Sequence, residues 1–232
     1  MYDEQSLSYY MENSKKLNPK NFDKKIKIAI LSSFTLNGLL ESIRVKLSLS
    51  NIFTDIFLGG YNQYNEDIVN INSKLYSFSP DICFLFLDTR KQLGELFFDP
   101  FQIDENSRKA LINTKSDELI TLIEYFIKNS NSKLIVNNLL IPTYSVYGIL
   151  EKKVDYGIQE MIMDFNKKIA DHFRNNSSVY VYDFNSFVSR IGENQIFDHR
   201  QYFFGDVQVS LRYIPNLAND LLGYIKPILG IN

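Results

Sequence analysis

The chain has 232 residues, a formal net charge of −2 and 45% apolar residues, enough apolar material for one large domain with a single core. The small charge offers no electrostatic surface for nucleic acid, and no apolar run approaches the roughly 20 residues that cross a bilayer. One cysteine, Cys83, excludes an internal disulfide, and the amino terminus lacks an apolar secretory segment, so we predict a cytoplasmic protein.

A polar extension, residues 1–24, precedes the predicted domain, which spans residues 25–232. The dense basic cluster of the chain lies in and beside this extension. A solvated leader is the favoured interpretation of the cluster, over a site for an anionic partner. The cluster consists of Lys15, Lys16, Lys20, Lys24 and Lys25.

Strand and helix patterns alternate from residue 25 onward. Short apolar runs predict five strands, at 26–31, 53–58, 82–87, 133–136 and 179–182. Between and after them, helical patterns are found at 36–49, 65–76, 116–129, 157–174 and 210–228. Such alternation forms βαβ units with right-handed crossovers. The predicted fold class is therefore α/β, a three-layer α/β/α sandwich around a five-stranded parallel sheet.

Ser33 stands where the first strand ends, and ligands of open α/β sheets bind beyond the carboxyl ends of the strands. At the start of a helix, Ser33 would be a nucleophile favoured by the helix dipole. The spacing alone favours a simpler role, an N-cap, for which Ser32 and Thr35 compete.

The other candidates each have a structural alternative. Gly60 could approach an oxyanion or merely form a turn, and Asn137 or Asn138 could donate to an oxyanion or satisfy loop backbone. His199, beside Asp198 in the loop before the last helix, is placed as a base, although a solvated loop histidine is the commoner case. We predict no metal ion and no cofactor, because neither nucleotide-binding glycine patterns nor a His/Cys cluster is found; a Mg²⁺ site made of carboxylates alone stays open.

Residues 28–35 resemble the strand and turn of the SGNH/GDSL hydrolase family, with Ser33 at the nucleophile position. Three further segments resemble the N-terminal SGNH-like domain of FkbH-like proteins, and the resemblance covers residues 25–230. They are Tyr-Asn-Gln-Tyr at 61–64, Leu-Tyr-x-Phe-x-Pro-Asp at 75–81 and Asp-x-Arg-x-Tyr-Phe at 198–203.

This resemblance implies a flavodoxin-like SGNH-hydrolase fold. In FkbH-like proteins a haloacid-dehalogenase-type domain usually follows, associated with loading glyceryl or related units onto acyl carrier proteins in polyketide and surface-polysaccharide pathways. The expected partners are therefore an acyl carrier protein or a small acylated substrate, and a separate haloacid-dehalogenase-type domain.

Two departures from the SGNH pattern bear on activity. Aligned on the last helix, the Asp-x-x-His segment of these hydrolases corresponds to residues 206–209, where Val209 replaces the histidine. The Gly-x-Asn-Asp segment after the third strand is replaced by Leu-Asp-Thr-Arg at 87–90. A hydrolase would then need His199 as its base.

Three functions remain open at this point. A serine esterase or acyltransferase would use Ser33 with His199 and Asp198, and an oxyanion hole from the Ser33 N–H, Gly60 and Asn137 or Asn138. A catalytically inactive module would instead bind a carrier arm, an acyl group or a partner domain in the same crevice. An assembly or dimerisation domain is favoured if side chains fill the crevice. The predicted pocket includes Thr35, Tyr61, Asn62, Tyr64, Asp88, Arg90, Arg200 and Tyr202.

Overall fold

Five parallel strands form one sheet in the order β2-β1-β3-β4-β5 in the computed structural model, which describes residues 5–231. The strands are β1 (Lys24–Ser32), β2 (Ile52–Leu58), β3 (Ile82–Phe86), β4 (Lys133–Asn137) and β5 (Val179–Tyr182). The predicted fold class and strand count are confirmed.

Helices cover both faces of this sheet. They are α1 (Leu7–Ser14), α2 (Leu39–Ser48), α3 (Tyr64–Val69), α4 (Lys74–Phe78), α5 (Thr89–Leu93), α6 (Glu105–Asn129), α7 (Ile158–Phe173), α8 (Phe184–Ile191), α9 (Glu193–Ile196), α10 (His199–Gly205) and α11 (Ile214–Ile228). No helix within residues 5–231 is long and apolar enough to cross a membrane.

Strand β1 shows why the sheet is buried on both sides. Successive side chains of a strand point to opposite faces. Ile28 and Ile30 accordingly join one core cluster, shared with α2 and α11, while Ala29 and Leu31 join a second, shared with α6 and α7. A strand that serves two cores needs a continuous apolar run, which is the pattern seen in the sequence.

Several helix boundaries differ from the predictions. The pattern at 65–76 corresponds to two short helices, α3 and α4, and the last helix, α11, begins at Ile214 rather than at 210. Helix α6 begins at Glu105 rather than near 116, because Asp104 caps it by accepting a hydrogen bond from the Ser107 N–H. Helix α2 begins at Leu39, with Gly38 as its N-cap residue. Ser33 is therefore not the cap of a helix, and the interpretation of residues 32–35 as a helix start is wrong.

The amino-terminal residues pack onto the domain. Helix α1 contacts α2 and α11, and Tyr10 is only 5% exposed. The five lysines of the basic cluster are all exposed. The lysines thus form a solvated surface beside a packed helix, whereas residues 1–4 lie outside the described part of the chain.

The strand order brings the carboxyl ends of β1 and β3 side by side. Chain connections leave β1 toward β2 on one side and leave β3 toward β4 on the other. This is the switch point at which open α/β sheets form a crevice.

Candidate functional site

Ser33 lies at this switch point but is completely buried. Its backbone N–H donates to the Phe86 carbonyl oxygen over 2.9 Å, which extends the pairing of β1 with β3. Its Oγ accepts a hydrogen bond of 2.7 Å from the Asp88 N–H. Both the hydroxyl and the N–H of Ser33 therefore have internal partners.

Asp88 connects Ser33 to an arginine. Asp88 is fully buried and caps α5, with its Oδ1 accepting from the Arg90 N–H at 2.8 Å. The Arg90 guanidinium returns to the same carboxylate, with Nη2 2.7 Å and Nε 3.1 Å from Oδ2. An arginine fork of this kind fixes both side chains. The carboxylate is thereby neutralised within the crevice.

Arg90 also binds the segment that approaches the last helix. Its Nη2 lies 2.8 Å from Asp206 Oδ1, and its Nη1 donates to the Tyr202 carbonyl oxygen at 3.1 Å. The Tyr202 ring stacks on the guanidinium, 3.7 Å from centroid to Cζ. Such cation–π stacking is stabilising, most of all away from water. Arg90 and Tyr202 thus pack together beside Asp88.

Asp206 holds a second set of polar contacts at the edge of the crevice. Its Oδ2 accepts hydrogen bonds from the Tyr61 hydroxyl and from Lys91 Nζ. Burial alone would raise the pKa of the Asp206 carboxyl, but these hydrogen bonds and the charges of Lys91 and Arg90 outweigh burial and lower the pKa. Asp206 is therefore held as a carboxylate.

The turn after β1 fixes the position of Asp206. The Thr35 N–H donates to the Asp206 carbonyl oxygen at 2.9 Å, and Thr35 Oγ1 donates to the Gly205 carbonyl oxygen at 3.1 Å. Asp206 itself adopts a left-handed backbone conformation, φ 49°. Two backbone-anchored contacts thus aim the carboxylate at Arg90.

The predicted base does not meet the predicted nucleophile. His199 is the first residue of α10, not part of a loop, and it is exposed. Among the described residues, Ser33 Oγ has the Asp88 N–H as its hydrogen-bond partner and forms no hydrogen bond with His199. Asp198 caps α10 through the backbone N–H groups of Arg200 and Gln201, so it does not orient His199.

The predicted oxyanion donors are largely occupied. The Asn137 side chain donates to the carbonyl oxygens of Leu87 and Asn138, at 3.1 and 2.9 Å. Asn138 donates to Asp183 Oδ1 at 2.9 Å and accepts from the N–H groups at the start of α8. The Gly60 N–H, in contrast, has no hydrogen-bond partner within residues 5–231. One free donor does not make an oxyanion hole.

Two predicted pocket residues, Tyr64 and Arg200, lie outside the polar network, whereas Asn62 lies beside the turn after β1. The Tyr64 hydroxyl accepts from Gln92 Nε2 at 3.1 Å, in an open groove between α3 and α6. Arg200 is exposed on α10. The exposed Asn62 uses its backbone N–H to donate to the Ser32 carbonyl oxygen. Of the tyrosines and arginines predicted to line one crevice, Tyr61, Arg90 and Tyr202 thus meet around Asp206, whereas Tyr64 and Arg200 do not join them.

Sequence reasoning missed two members of the polar network, Asp206 and Lys91. Asp206 had a usable signal, because it aligns with the aspartate of the Asp-x-x-His segment. Lys91 follows Arg90 on a short helix that no periodic pattern marks. At the histidine position of the same segment, Val209 is fully buried in the core.

The sequence matches the family described as "FkbH, N-terminal domain" over residues 27–226. The chain belongs to this family. The match spans the sheet, the Ser33 turn and the Asp206 segment, so the FkbH N-terminal domain includes every part of the site described above. Among curated proteins, none matches the chain in sequence.

Solved structures show a similar fold. The N-terminal part of a Bacteroides fragilis protein, containing a phosphatase domain and complexed with Mg, has a TM-score of 0.81 at 18% identity. The alignment covers 97% of this chain and 57% of that one, so the chain spans just over half of that structure.

More distant structures show the same fold. A GDSL-like protein from Parabacteroides merdae has a TM-score of 0.52 at 12% identity, and an acetyl xylan esterase variant from Geobacillus stearothermophilus has 0.53 at 11%. Both alignments cover 88% of this chain and 96% of the other. The FkbH N-terminal domain thus shares the SGNH/GDSL hydrolase fold.

Proposed function

We propose that this FkbH N-terminal domain is a non-hydrolytic SGNH-like module that binds an acyl carrier protein or a small acyl group for a separate haloacid-dehalogenase-type domain. The observation that carries the proposal is the burial of Ser33, whose Oγ accepts from the backbone of the ion-paired Asp88, together with Val209 at the position aligned with the base. A serine that accepts a hydrogen bond from backbone and has no base lacks the activation that a nucleophile requires.

The partners in this proposal come from the family and from a similar structure. The Bacteroides fragilis protein contains a phosphatase domain in the same solved structure. A binding module fixed beside a phosphatase-type domain would raise the effective concentration of a carrier-bound substrate there. A cytoplasmic location in polyketide or surface-polysaccharide biosynthesis belongs to the same proposal.

The test is covalent labelling with a fluorophosphonate probe, together with hydrolysis of p-nitrophenyl acetate. We expect the wild-type domain to show no more labelling and no more turnover than Ser33→Ala. An active acetyl xylan esterase serves as the positive control. Labelling that disappears in Ser33→Ala and persists in Ser32→Ala would overturn the proposal and favour an esterase or acyltransferase. Binding is measured by titrating the domain with an acylated carrier protein and following its amide NMR signals.

A filled crevice also favours a second candidate, an assembly or dimerisation domain. Arg90 and Tyr202 pack against each other beside Asp88, and exposed aromatic side chains such as Phe203 and Phe204 lie close by on α10. Sedimentation of the domain over a range of concentrations separates the two functions. A stable dimer that dissociates in Phe204→Ser would support assembly, whereas a monomer would support the carrier-binding module.

A further inference from the structure

Exposed apolar side chains are concentrated on two segments of the chain, residues 98–101 between α5 and α6 and residues 144–150 between β4 and α7. Ile149 is 94% exposed and Tyr144 is 72% exposed. We call the exposed side chains of these two segments the loop surface. It consists of Phe98, Phe101, Tyr144, Val146, Ile149 and Leu150.

The two segments touch each other. The Phe101 ring packs edge-to-face on the ring of the buried Tyr147, with 4.3 Å between the centroids. Phe97, which precedes Phe98, lines a cavity together with Tyr144. The side chains of the loop surface therefore lie side by side, although about 45 residues separate the two segments in sequence.

Polar contacts within the domain hold both segments in place. The buried Arg108 of α6 donates to the carbonyl oxygens of Ile103 and Tyr156, at 2.7 and 3.1 Å. The buried Glu151 accepts a hydrogen bond from the Ser145 hydroxyl. A surface that is ordered before it binds loses less conformational entropy when it is covered. The loop surface is thus formed in advance of any partner.

The area of the loop surface is large for a monomer. Since a large side chain exposes about 150–250 Å² when nothing covers it, the six together expose roughly 600–900 Å². The largest apolar patch on a typical monomeric protein is about 300–600 Å². A standard interface buries about 800 Å² on each partner. The loop surface is therefore large enough to form most of one side of a stable dimer interface.

The charges beside the loop surface favour a second copy of this chain as the partner. Asp99 is exposed within the first segment, and Lys152 and Lys153 are exposed just after the second. Neither lysine has an ion pair within residues 5–231. A two-fold axis sets a patch against a copy of itself, so Asp99 of one protomer can face the lysines of its partner. A partner with a single sign of charge would be repelled by one of these two groups.

We propose that the loop surface is a two-fold interface between two copies of this chain, with the apolar side chains at its centre and Asp99 paired with Lys152 and Lys153 at its rim. The interface goes beyond the carrier-binding role and does not depend on it. It also differs from assembly through α10, which carries none of the six apolar residues. Because Tyr144 and Tyr202 line a common cavity, a partner on the loop surface would border that cavity.

Sedimentation velocity of the whole chain over a wide range of concentrations measures the dissociation constant of the dimer. Ile149→Asp should raise this constant at least about 30-fold, because it places a charge at the centre of an apolar interface. Leu49→Asp is the matched control, since Leu49 is 83% exposed and lies between α2 and β2, at the amino ends of the strands. Leu49→Asp and Phe204→Ser should both leave the constant unchanged.

Charge reversal tests the rim. Asp99→Lys should raise the dissociation constant about 2- to 10-fold, because it sets like charges against each other, and Lys152→Asp combined with Lys153→Asp should do the same. The triple variant should recover the wild-type constant. Local damage to the fold would not be repaired in this way.

A wild type that stays monomeric at every concentration would overturn the proposal, as would a dimer that Ile149→Asp leaves intact. If a monomeric wild type bound a haloacid-dehalogenase-type domain, and Ile149→Asp weakened that binding, the loop surface would be a contact between domains instead. None of these results depends on whether Ser33 reacts with the fluorophosphonate probe, so the interface and the proposed function can fail separately.

Discussion

At the residue scale, Ser33 acts in this structure as a hydrogen-bond acceptor. Its Oγ is 2.7 Å from the Asp88 nitrogen, and both residues are fully buried. Ser33→Ala would leave the Asp88 N–H without a partner, so we expect a loss of about 1–3 kcal/mol in the free energy of unfolding, measured with urea. Ser8→Ala, at an exposed position on α1, is the control and should change stability by less than about 0.5 kcal/mol. Unchanged stability of Ser33→Ala would show that the hydroxyl does not hold Asp88.

The ion pair of Asp88 with Arg90 is a second contact of single residues that we expect to stabilise the fold. The Asp88 side chain is fully buried and that of Arg90 is 9% exposed. Arg90→Met should destabilise the protein by about 3–5 kcal/mol, because it leaves a buried carboxylate without its counter-ion. The double variant with Asp88→Asn should recover part of this loss, because the uncompensated charge is then absent. If the loss in the double variant, measured by urea denaturation, equalled the sum of the losses in the two single variants, Asp88 and Arg90 would not be a coupled pair.

At the scale of elements, the chain between α9 and α11 determines how the crevice is closed. Helix α10 carries Tyr202 onto Arg90, and the turn after it brings Asp206 to the same guanidinium. Asp206 is held against the turn after β1 through the Thr35 N–H. One segment thus supplies both the ring and the carboxylate that fix Arg90.

The ionisation of Asp206 makes the stability of the segment between α9 and α11 dependent on pH. Its pKa is lowered in the folded state, so between the folded and unfolded pKa values the unfolded chain binds more protons. The contribution of Asp206 to stability is complete above about pH 4, the unfolded pKa, and is lost as the pH falls through the folded pKa. We expect urea midpoints measured from pH 6 down to pH 3 to fall less in Asp206→Asn than in the wild type.

Asp117→Asn provides the matched control for this measurement, because Asp117 is an exposed aspartate on α6, distant from the crevice segment in sequence. Its pH dependence should follow that of the wild type. If Asp206→Asn also followed the wild type, Asp206 would not be the carboxylate that stabilises the closed segment.

The elements that the sequence predicted are those with their own repeating pattern. All five strands were found because apolar runs such as that of β1 are bounded by polar residues. The short helices α5, α8 and α10 were missed, since each depends on one N-cap aspartate (Asp88, Asp183 and Asp198) and is too short for a periodic pattern.

Within the site, the sequence indicated Ser33, Asp88, Arg90 and Tyr202 as pocket residues. It could not show that they pair with one another, because Arg90 and Asp206 are 116 residues apart.

At the scale of the whole molecule, the two faces of the sheet are covered in different ways. Helices α6 and α7 cover one face, while α2 and α11 cover the other, with α1 packed outside them. Gly38 shows how close this outer packing is. A β-carbon at that position would lie 2.5 Å from Leu7 Cδ1, and the glycine has φ 86°, which disfavours any other residue. The amino-terminal helix therefore adds a layer to the domain rather than trailing from it.

This outer layer leads to a prediction for two neighbouring tyrosines on α1. Tyr10 is 5% exposed and lies under Lys46, whose Nζ is 5.0 Å from the ring centroid, whereas Tyr9 is 40% exposed. Tyr10→Ala should reduce the free energy of unfolding by about 3–5 kcal/mol, the usual cost of emptying a buried aromatic site. Tyr9→Ala should cost about 1 kcal/mol, mainly through the loss of its edge-to-face contact with Tyr10. Urea denaturation of both variants measures the difference. Equal losses in the two variants would mean that burial of Tyr10 against the domain adds nothing to stability. A larger loss in Tyr10→Ala means that residues 5–24 fold as part of the domain.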